Sequence, residues 1–325
     1  MSNGQRGGWF QKSSDSWGWI RLLTLAAAVC LCVIPRSAAG DPDAGAPSNA
    51  NPAPSEENSA RSVDARLQTF RAAASAIERV RVIPIEGTIE PGLASFIQRS
   101  LSDADQHTLV VFSIKTFGGR VDAAVRIRDA ILDARAPTLS LVDRRAISAG
   151  ALIALAADLI VMSPGASIGA ATPVQQGAGG QMEATSEKVV SYMRAEMRST
   201  AEATGRPALL AEAMVDEDIS IQDVTAEGKL LTLTGSEAVK LGVADALAEN
   251  PNEALATLGL GELPVQRFEI NWAERIARFV TDPIVSSLLM SLGFIGLLME
   301  LYSPGFGVGG AIGISCLLLF FGGQY

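Results

Sequence analysis

The sequence predicts an α/β domain whose sheet is covered by crossover helices, followed by two apolar helices that turn back on each other. Three observations lead to this. Between residues 78 and 250, short β-branched runs alternate with amphipathic stretches of helical period, as strands and crossover helices do. Beyond residue 283 two apolar stretches flank Ser303-Pro304-Gly305, a turn signal between membrane-length segments. The composition permits both parts: 48% of the 325 residues are hydrophobic and the mean hydropathy is +0.25, enough for a large core and high for a purely soluble chain.

In chain order, Arg6, Lys12 and Arg21 precede the apolar run 22–34, and Ser37-Ala38-Ala39 offers small residues for cleavage after Ala39. Residues 1–39 therefore read as a secretory signal peptide. The alternative is an uncleaved anchor, for which the run is shorter than the about 20 residues a span requires. Residues 40–77 are expected to be a disordered linker, because the Pro-, Ala-, Asn- and Ser-rich stretch 40–62 has no periodicity and little apolar surface to bury.

The domain 78–250 then opens with a strand at 80–85, Gly87 and a helix at 90–102. A strand at 108–114 leads through Gly118-Gly119 to a helix at 121–134. A third strand, 137–142, precedes a helix at 148–157, and a fourth, 159–162, ends at Ser163-Pro164-Gly165. The Gly/Ala/Gln segment 169–180 is too polar for the core and is expected to be a mobile loop, either a substrate cradle or a lid. Thr185 or Ser186 is expected to cap a helix that runs to 203 and stops at Gly205. In the juxtamembrane segment 251–283, Trp272, Ile276, Phe279 and Val280 recur at helical spacing around Glu274, Arg275 and Arg278, as in a short helix lying among lipid headgroups. Residues 284–301 and 306–321 form the expected transmembrane hairpin. A buried core hairpin is the alternative, and the aromatic and basic flank argues against it. The second stretch runs almost to Tyr325, so 284–325 reads as a truncated membrane region.

Composition also excludes classes of function. A formal charge of −9 and no Lys/Arg-rich run leave no footprint for nucleic acid. Cys30, Cys32 and Cys316 all lie in the terminal apolar stretches, so the domain between them builds neither disulfide nor thiolate metal site, and no metal or cofactor is expected. The single histidine, His107, lies just before an apolar run rather than in a turn. A Ser-His-Asp relay is thereby disfavoured, and a nucleophilic serine needs an amine as base.

Ser148, in Ile147-Ser148-Ala149-Gly150-Ala151, opens a helical run and is the candidate nucleophile. Lys188, in the first turn of the helix that follows the loop, is the candidate base, because the positive end of a helix dipole favours a neutral amine. A lysine at its reference pKa of about 10.4 keeps its proton at neutral pH, and lowering it toward about 7 to 8 takes roughly 3 to 4 kcal/mol of desolvation and dipole help. The backbone amides of Gly119 and Ala149 are the candidate oxyanion hole. The adjacent glycines let a substrate carbonyl approach the backbone, so Gly118 and Phe117 are expected to contact substrate. Each feature has a plain structural alternative: Ser148 as a helix N-cap, Gly118-Gly119 as a turn, Asp158 as a turn residue. Lys115 is a competing base at the end of the second strand.

Taken together, Thr116-Phe117-Gly118-Gly119-Arg120-Val121-Asp122, Ile127-Arg128-Asp129-Ala130-Ile131, Ser148-Ala149-Gly150 with Ile153-Ala154-Leu155-Ala156-Ala157-Asp158, and Ser163-Pro164-Gly165-Ala166-Ser167-Ile168-Gly169-Ala170-Ala171 resemble the NfeD family of membrane-bound serine proteases. The resemblance runs from about residue 80 to the C-terminus. It implies a ClpP/crotonase-like α/β fold, Ser148 as nucleophile, Lys188 as base and Gly119 with Ala149 as oxyanion amides. It further implies a homodimer and a stomatin-like membrane protein as substrate or partner, cleaved in its apolar region. Phe117 stands where the family usually has proline, and full-length members continue into further membrane helices and a small β-barrel. The expected protein is thus a multi-pass membrane endopeptidase with an extracytoplasmic protease domain. A crotonase-type acyl-CoA enzyme, which usually works through carboxylates in the cytoplasm, and a non-catalytic scaffold are the alternatives.

Overall fold

A computed structural model describes residues 50–176, 182–269, 272–302 and 307–323. The expected signal peptide and the first part of the expected linker lie outside the described residues. The remainder of that linker is a correction: residues Glu56–Ala74 form a 19-residue helix, α1. Its buried face, Ser59, Val63, Phe70 and Ala74 with Leu67 packed alongside, repeats every three or four positions. The low average hydrophobicity of the stretch hides this stripe from a reading based on composition. Ser55 caps the helix by accepting from the Asn58 amide. Arg66 fixes it to the domain, bonding Asp245 at 2.7 Å and the carbonyls of Gly205 and Gly242.

The elements that follow are β1 (Arg79–Ile89), α2 (Pro91–Ser102), β2 (Thr108–Gly119), α3 (Val121–Leu132), β3 (Thr138–Ile147), α4 (Ala149–Leu155) and β4 (Leu159–Met162). Each lies where the sequence predicts it. The first three strands run past their apolar cores, because the polar residues at their C-terminal ends still pair with neighbours. Then come β5 (Ser167–Gly169), β6 (Val174–Gln176), β7 (Met182–Ala184), α5 (Glu187–Ala203), α6 (Ala208–Ala213), β8 (Thr232–Thr234), α7 (Gly235–Lys240), β9 (Ala246–Leu247), α8 (Pro251–Thr257) and β10 (Val265–Arg267). The expected mobile loop is partly structured: β6 and β7 pair as an antiparallel hairpin, and its tip, 177–181, lies outside the described residues.

The main sheet has the order β10-β1-β2-β3-β4-β9, all parallel, with β5 joined to β3 in parallel and β8 to β5 antiparallel. A parallel sheet is buried on both faces, and the strands alternate accordingly. Val80, Val82, Leu109, Val111, Leu139, Leu141, Leu159 and Val161 pack toward α1 and α8, whereas Ile83, Ile85, Val110, Phe112, Ile114, Ile160 and Met162 pack toward α2, α3 and α4. Two arginines, Arg206 buried and Arg66 partly so, hold the α1 side. The carboxylate of Asp245, fully buried, accepts from Arg66 and Arg206, and Arg206 also donates to the carbonyls of Ala157 and Val243.

C-terminal to this domain stand α9 (Trp272–Thr281), α10 (Pro283–Tyr302) and α11 (Val308–Gly323). Residues 284–302 are long and apolar enough to cross a membrane, while α11 is a shorter apolar helix. The last two helices pack through glycines. A Cβ at Gly296 would lie 2.6 Å from the Gly309 carbonyl oxygen, and one at Gly313 would lie 2.9 Å from that of Gly293, the close backbone approach typical of membrane hairpins. Glu300 closes the pair by accepting from the amides of Gly307 and Gly310 at 2.6 and 2.9 Å.

Candidate active site

The C-terminal ends of β2 and β3 meet at one edge of the sheet, where open α/β folds place their ligands. β3 ends at Ile147 and α4 begins at Ala149, so Ser148 occupies the whole strand-to-helix turn. An N-capping serine has extended backbone and an oxygen that accepts from the helix. Ser148 has neither, with φ 56° and ψ −123° and no capping hydrogen bond from its side chain. This backbone is uncommon for a residue with a Cβ and costs about 1 to 3 kcal/mol unless the surroundings enforce it. Here they do: the Ser148 amide donates to the Gly169 carbonyl at 3.0 Å and its carbonyl accepts from Ala151 at 2.9 Å. Gly169 and Ala170 also have positive φ, and Ala170 is held by the Leu231 carbonyl at 3.0 Å. The hydroxyl is left half-buried at the rim, bonded to nothing among the described residues.

Gly118 is pressed directly against the serine. With φ 111°, a Cβ added there would fall 2.6 Å from the Ser148 Cβ and 3.0 Å from its Oγ, so glycine is required by both conformation and contact. One at Gly119 would fall 2.2 Å from the Ile89 carbonyl oxygen. The amides of this turn are partly committed: that of Gly118 donates to the Thr116 hydroxyl at 2.9 Å and that of Arg120 to the Ile89 carbonyl at 2.8 Å. Gly119 lies exposed between them. At the start of α4, the amides of Ala149 and Gly150 have no acceptor among the described residues, as expected of the first donors of a helix. The structure therefore brings together Gly118, Gly119, Ser148 and Ala149.

Lys188 is in the first turn of α5, exposed, with no hydrogen bond or ion pair among the described residues and hence none to Ser148. Neither expected cap forms at that helix start: Ser186 makes no capping bond, and Thr185 donates to the Pro173 carbonyl at 2.8 Å, tying α5 to the segment before β6. Phe117 is 73% exposed beside Gly118, with the Arg145 guanidinium 4.3 Å from its ring centroid. Arg120, at the N-cap of α3, grips Asp122 through two bonds of 3.0 and 2.8 Å and holds that carboxyl below the usual range. Lys115 is exposed on β2.

His107 immediately precedes β2, whose 12 residues at about 3.3 Å each put it roughly 40 Å from Gly119. Asp158 bonds the amide and hydroxyl of Thr138, both at 2.8 Å, at the same far end. There too lies a concavity of about 840 Å³, between α1, the end of α3 and the segments that lead into β3 and β4. It does not reach Ser148. Among the described residues, no three His, Cys, Asp or Glu side chains cluster as metal ligands.

Thr116 has no distinguishing mark in the sequence. Its hydroxyl donates to the Gly87 carbonyl at 2.6 Å while accepting from Gly118. Its methyl packs on Gly150, where a Cβ would come within 2.6 Å of the Thr116 Cγ2. It is the rivet between the two halves of the site, and only the register of three strands reveals it.

Comparison with known proteins bears on this arrangement. Residues 79–268 match the model of the NfeD1b N-terminal domain, and residues 284–325 match the NfeD integral membrane domain. The chain is 40% identical over 250 residues to membrane protein NfeD1b of Bacillus subtilis, covering 76% of this chain and 56% of the relative. It is 29% identical over 240 residues to the membrane-bound protease PH1510 of Pyrococcus horikoshii, covering 68% and 52%. The chain thus spans about half the length of these relatives. Among solved structures, the 1510-N membrane-bound stomatin-specific protease is similar in two variants. The serine-to-alanine variant superposes with a TM-score of 0.53 at 28% identity, covering 60% of this chain and 99% of that one. The lysine-to-alanine variant, in complex with a substrate peptide, gives 0.55 at 27% identity, covering 63% and 99%.

Proposed function

The chain belongs to the NfeD family, and on that premise we propose that its central domain is a membrane-anchored serine endopeptidase working through Ser148 and Lys188. The observation that carries this reading is the backbone of Ser148. A residue held at φ 56° with an unengaged hydroxyl, against a glycine that admits no Cβ, is costly to the fold and of use only to a nucleophile presented to a substrate. The residues replaced in the two 1510-N variants are a serine and a lysine, the residue types assigned here.

In this mechanism the Ser148 Oγ attacks the scissile carbonyl as its proton passes to the Lys188 Nζ. The oxygen of the tetrahedral intermediate accepts from the amides of Gly119 and Ala149. Collapse expels the amine, which takes the proton from Lys188, and water then hydrolyses the acyl-serine by the same route. Lys188 is exposed in the free chain, so the desolvation that a neutral amine needs comes from covering by the bound peptide. The exposed ring of Phe117 favours an apolar peptide, consistent with a stomatin-like membrane protein as substrate. We place the domain outside the cytoplasm, on a hairpin that spans the membrane twice, in a homodimer.

The test is hydrolysis of a stomatin-like C-terminal peptide, with products mapped by mass spectrometry. Ser148→Ala and Lys188→Ala are each expected to lose at least about a thousandfold, with the double variant little worse because the pair acts as one unit. His107→Ala is expected to keep its rate. Retained activity in Lys188→Ala moves the base to Lys115. Retained activity in Ser148→Ala, or no acylation of Ser148 by an organophosphate probe, leaves the non-catalytic scaffold as the reading.

A further inference from the structure

The juxtamembrane helix α9 has two opposite faces with different partners. Trp272, Ile276 and Phe279 share one face and are 76, 51 and 65% exposed, at the i, i+4, i+7 spacing of a single stripe. Glu274, Arg278 and Thr281 share the other and all bond the α/β domain. Glu274 accepts two bonds from Arg99 of α2 at 2.6 and 2.8 Å, and Arg278 and Thr281 each donate to the Glu90 carboxylate at 2.8 Å. Two residues after Thr281 the apolar helix α10 begins, so the exposed stripe continues a membrane-spanning surface, and its occupant is the boundary between lipid headgroups and acyl chains.

Glu90 connects this helix to the catalytic edge. It is 3% exposed and also caps α2, accepting from the amides of Gly92 and Leu93 at 2.6 and 3.0 Å. It directly follows Ile89, whose carbonyl holds the Arg120 amide and whose backbone leaves no room for a Cβ at Gly119. A second route runs in parallel: Arg278 donates to the Glu86 carbonyl at 3.0 Å, next to the bulge at Gly87 whose carbonyl holds Thr116 and, through it, Gly118. Gly92 allows the close approach of Glu90 and Arg278, since a Cβ there would lie 2.8 Å from the Glu90 Oε2 and 3.2 Å from the Arg278 backbone nitrogen. Beside the joint a groove of about 400 Å³, lined by Thr88, Glu90, Arg278, Phe279, Asp282 and Val285, leaves α9 room to tilt.

We propose that Glu90 is a positioning residue that transmits the seating of α9 on the lipid surface to the Gly118-Gly119 turn. For catalysis this rests on the reading of Gly119 as an oxyanion donor; as a mechanical coupling it does not. Membrane seating then sets the oxyanion geometry, and hydrolysis is confined to enzyme whose α9 is docked.

The experiment uses the full chain in nanodiscs of phosphatidylcholine and phosphatidylglycerol and reads amide hydrogen exchange of the peptide containing Arg120. Arg278→Met with Thr281→Val, which leaves Glu90 and its cap bonds to α2 in place, is expected to raise exchange there about tenfold. Gly92→Ala, a wedge between the Glu90 carboxylate and α9, is expected to do the same, as is Trp272→Ser with Phe279→Ser on the lipid face. Arg278→Lys is expected to restore most of the protection. Unchanged exchange at Arg120 in the first two variants, while the amides of α9 themselves loosen, overturns the coupling. Absence of Ser148 acylation in the wild type removes the hydrolase reading, yet the exchange result still decides the coupling. Where Ser148 is acylated, the same variants are expected to lower kcat with KM nearly unchanged.

Discussion

At Ser148 the fold carries a local cost at a position where a helix cap would otherwise serve, and this is the residue proposed as nucleophile. A positive φ with ψ near −123° suits glycine better than any residue with a Cβ, and the serine hydroxyl repays none of the strain with a bond of its own. Ser148→Gly is therefore expected to abolish acylation yet raise stability by about 1 kcal/mol, read as a higher midpoint in urea with an unchanged slope. A lower midpoint would mean that the hydroxyl supports the fold, which is the behaviour of a cap. Gly118 is the complementary case, because any side chain there meets the Ser148 Cβ at 2.6 Å. Phe117, exposed over Arg145, is free of such packing limits.

At the scale of elements, two devices hold the short pieces in place. α7 is six residues long and begins with a reciprocal capping box, Thr234 accepting from the Glu237 amide while Glu237 accepts from the Thr234 backbone. The Thr234 amide, and then its hydroxyl, hold the Glu237 carboxyl below its ordinary value of 4.5. A depressed carboxylate contributes stability that is complete above its unfolded value and is lost as pH falls through the folded one. Thr234→Ala is expected to cost about 1 kcal/mol at neutral pH and to flatten the fall in melting temperature below about pH 4.5, and equal slopes in the two proteins would refute it. α1 is held differently, by Arg66 on a fully buried Asp245 that also binds Arg206. Burial pulls the Arg206 guanidinium down to about 10, against the pull of Asp245, so the carboxylate is what keeps both cations tolerable. Asp245→Asn leaves the buried Arg206 guanidinium and the partly buried Arg66 facing a neutral amide and is expected to destabilise by about 3 kcal/mol. A denaturation midpoint near that of the wild type would show that water already screens the cluster.

For the whole molecule, the juxtamembrane helix is the joint, packed against α2 of the α/β domain and against both apolar helices. α9 bonds α2 on one side and leads into α10 on the other, so the α/β domain is joined to the apolar helices through the segment that carries Glu90. A reporter fused near Asn250 is expected to be active outside the cytoplasm and silent within, and the reverse result would invert the proposed topology. Preference for Lys or Asp at the scissile bond would contradict a site walled by alanine, glycine and an exposed phenylalanine.

The sequence by itself determined the alternation of strands and helices, the two apolar helices at the end, and the pairing of a glycine turn with a serine turn. Each of these is written in local periodicity or in residues with few conformational uses. It did not disclose α1, whose buried stripe is diluted by charge, nor β5, β8 and β10, which are three residues long each and exist because a neighbouring strand supplies the hydrogen bonds. Only the tertiary structure decided that Ser148 is strained rather than capping, since its φ is imposed by Gly169 and Gly118 from distant strands. The roles of Thr116 and Glu90 were invisible for the same physical reason: each acts through bonds to backbone far away in sequence, and such bonds leave no pattern along the chain.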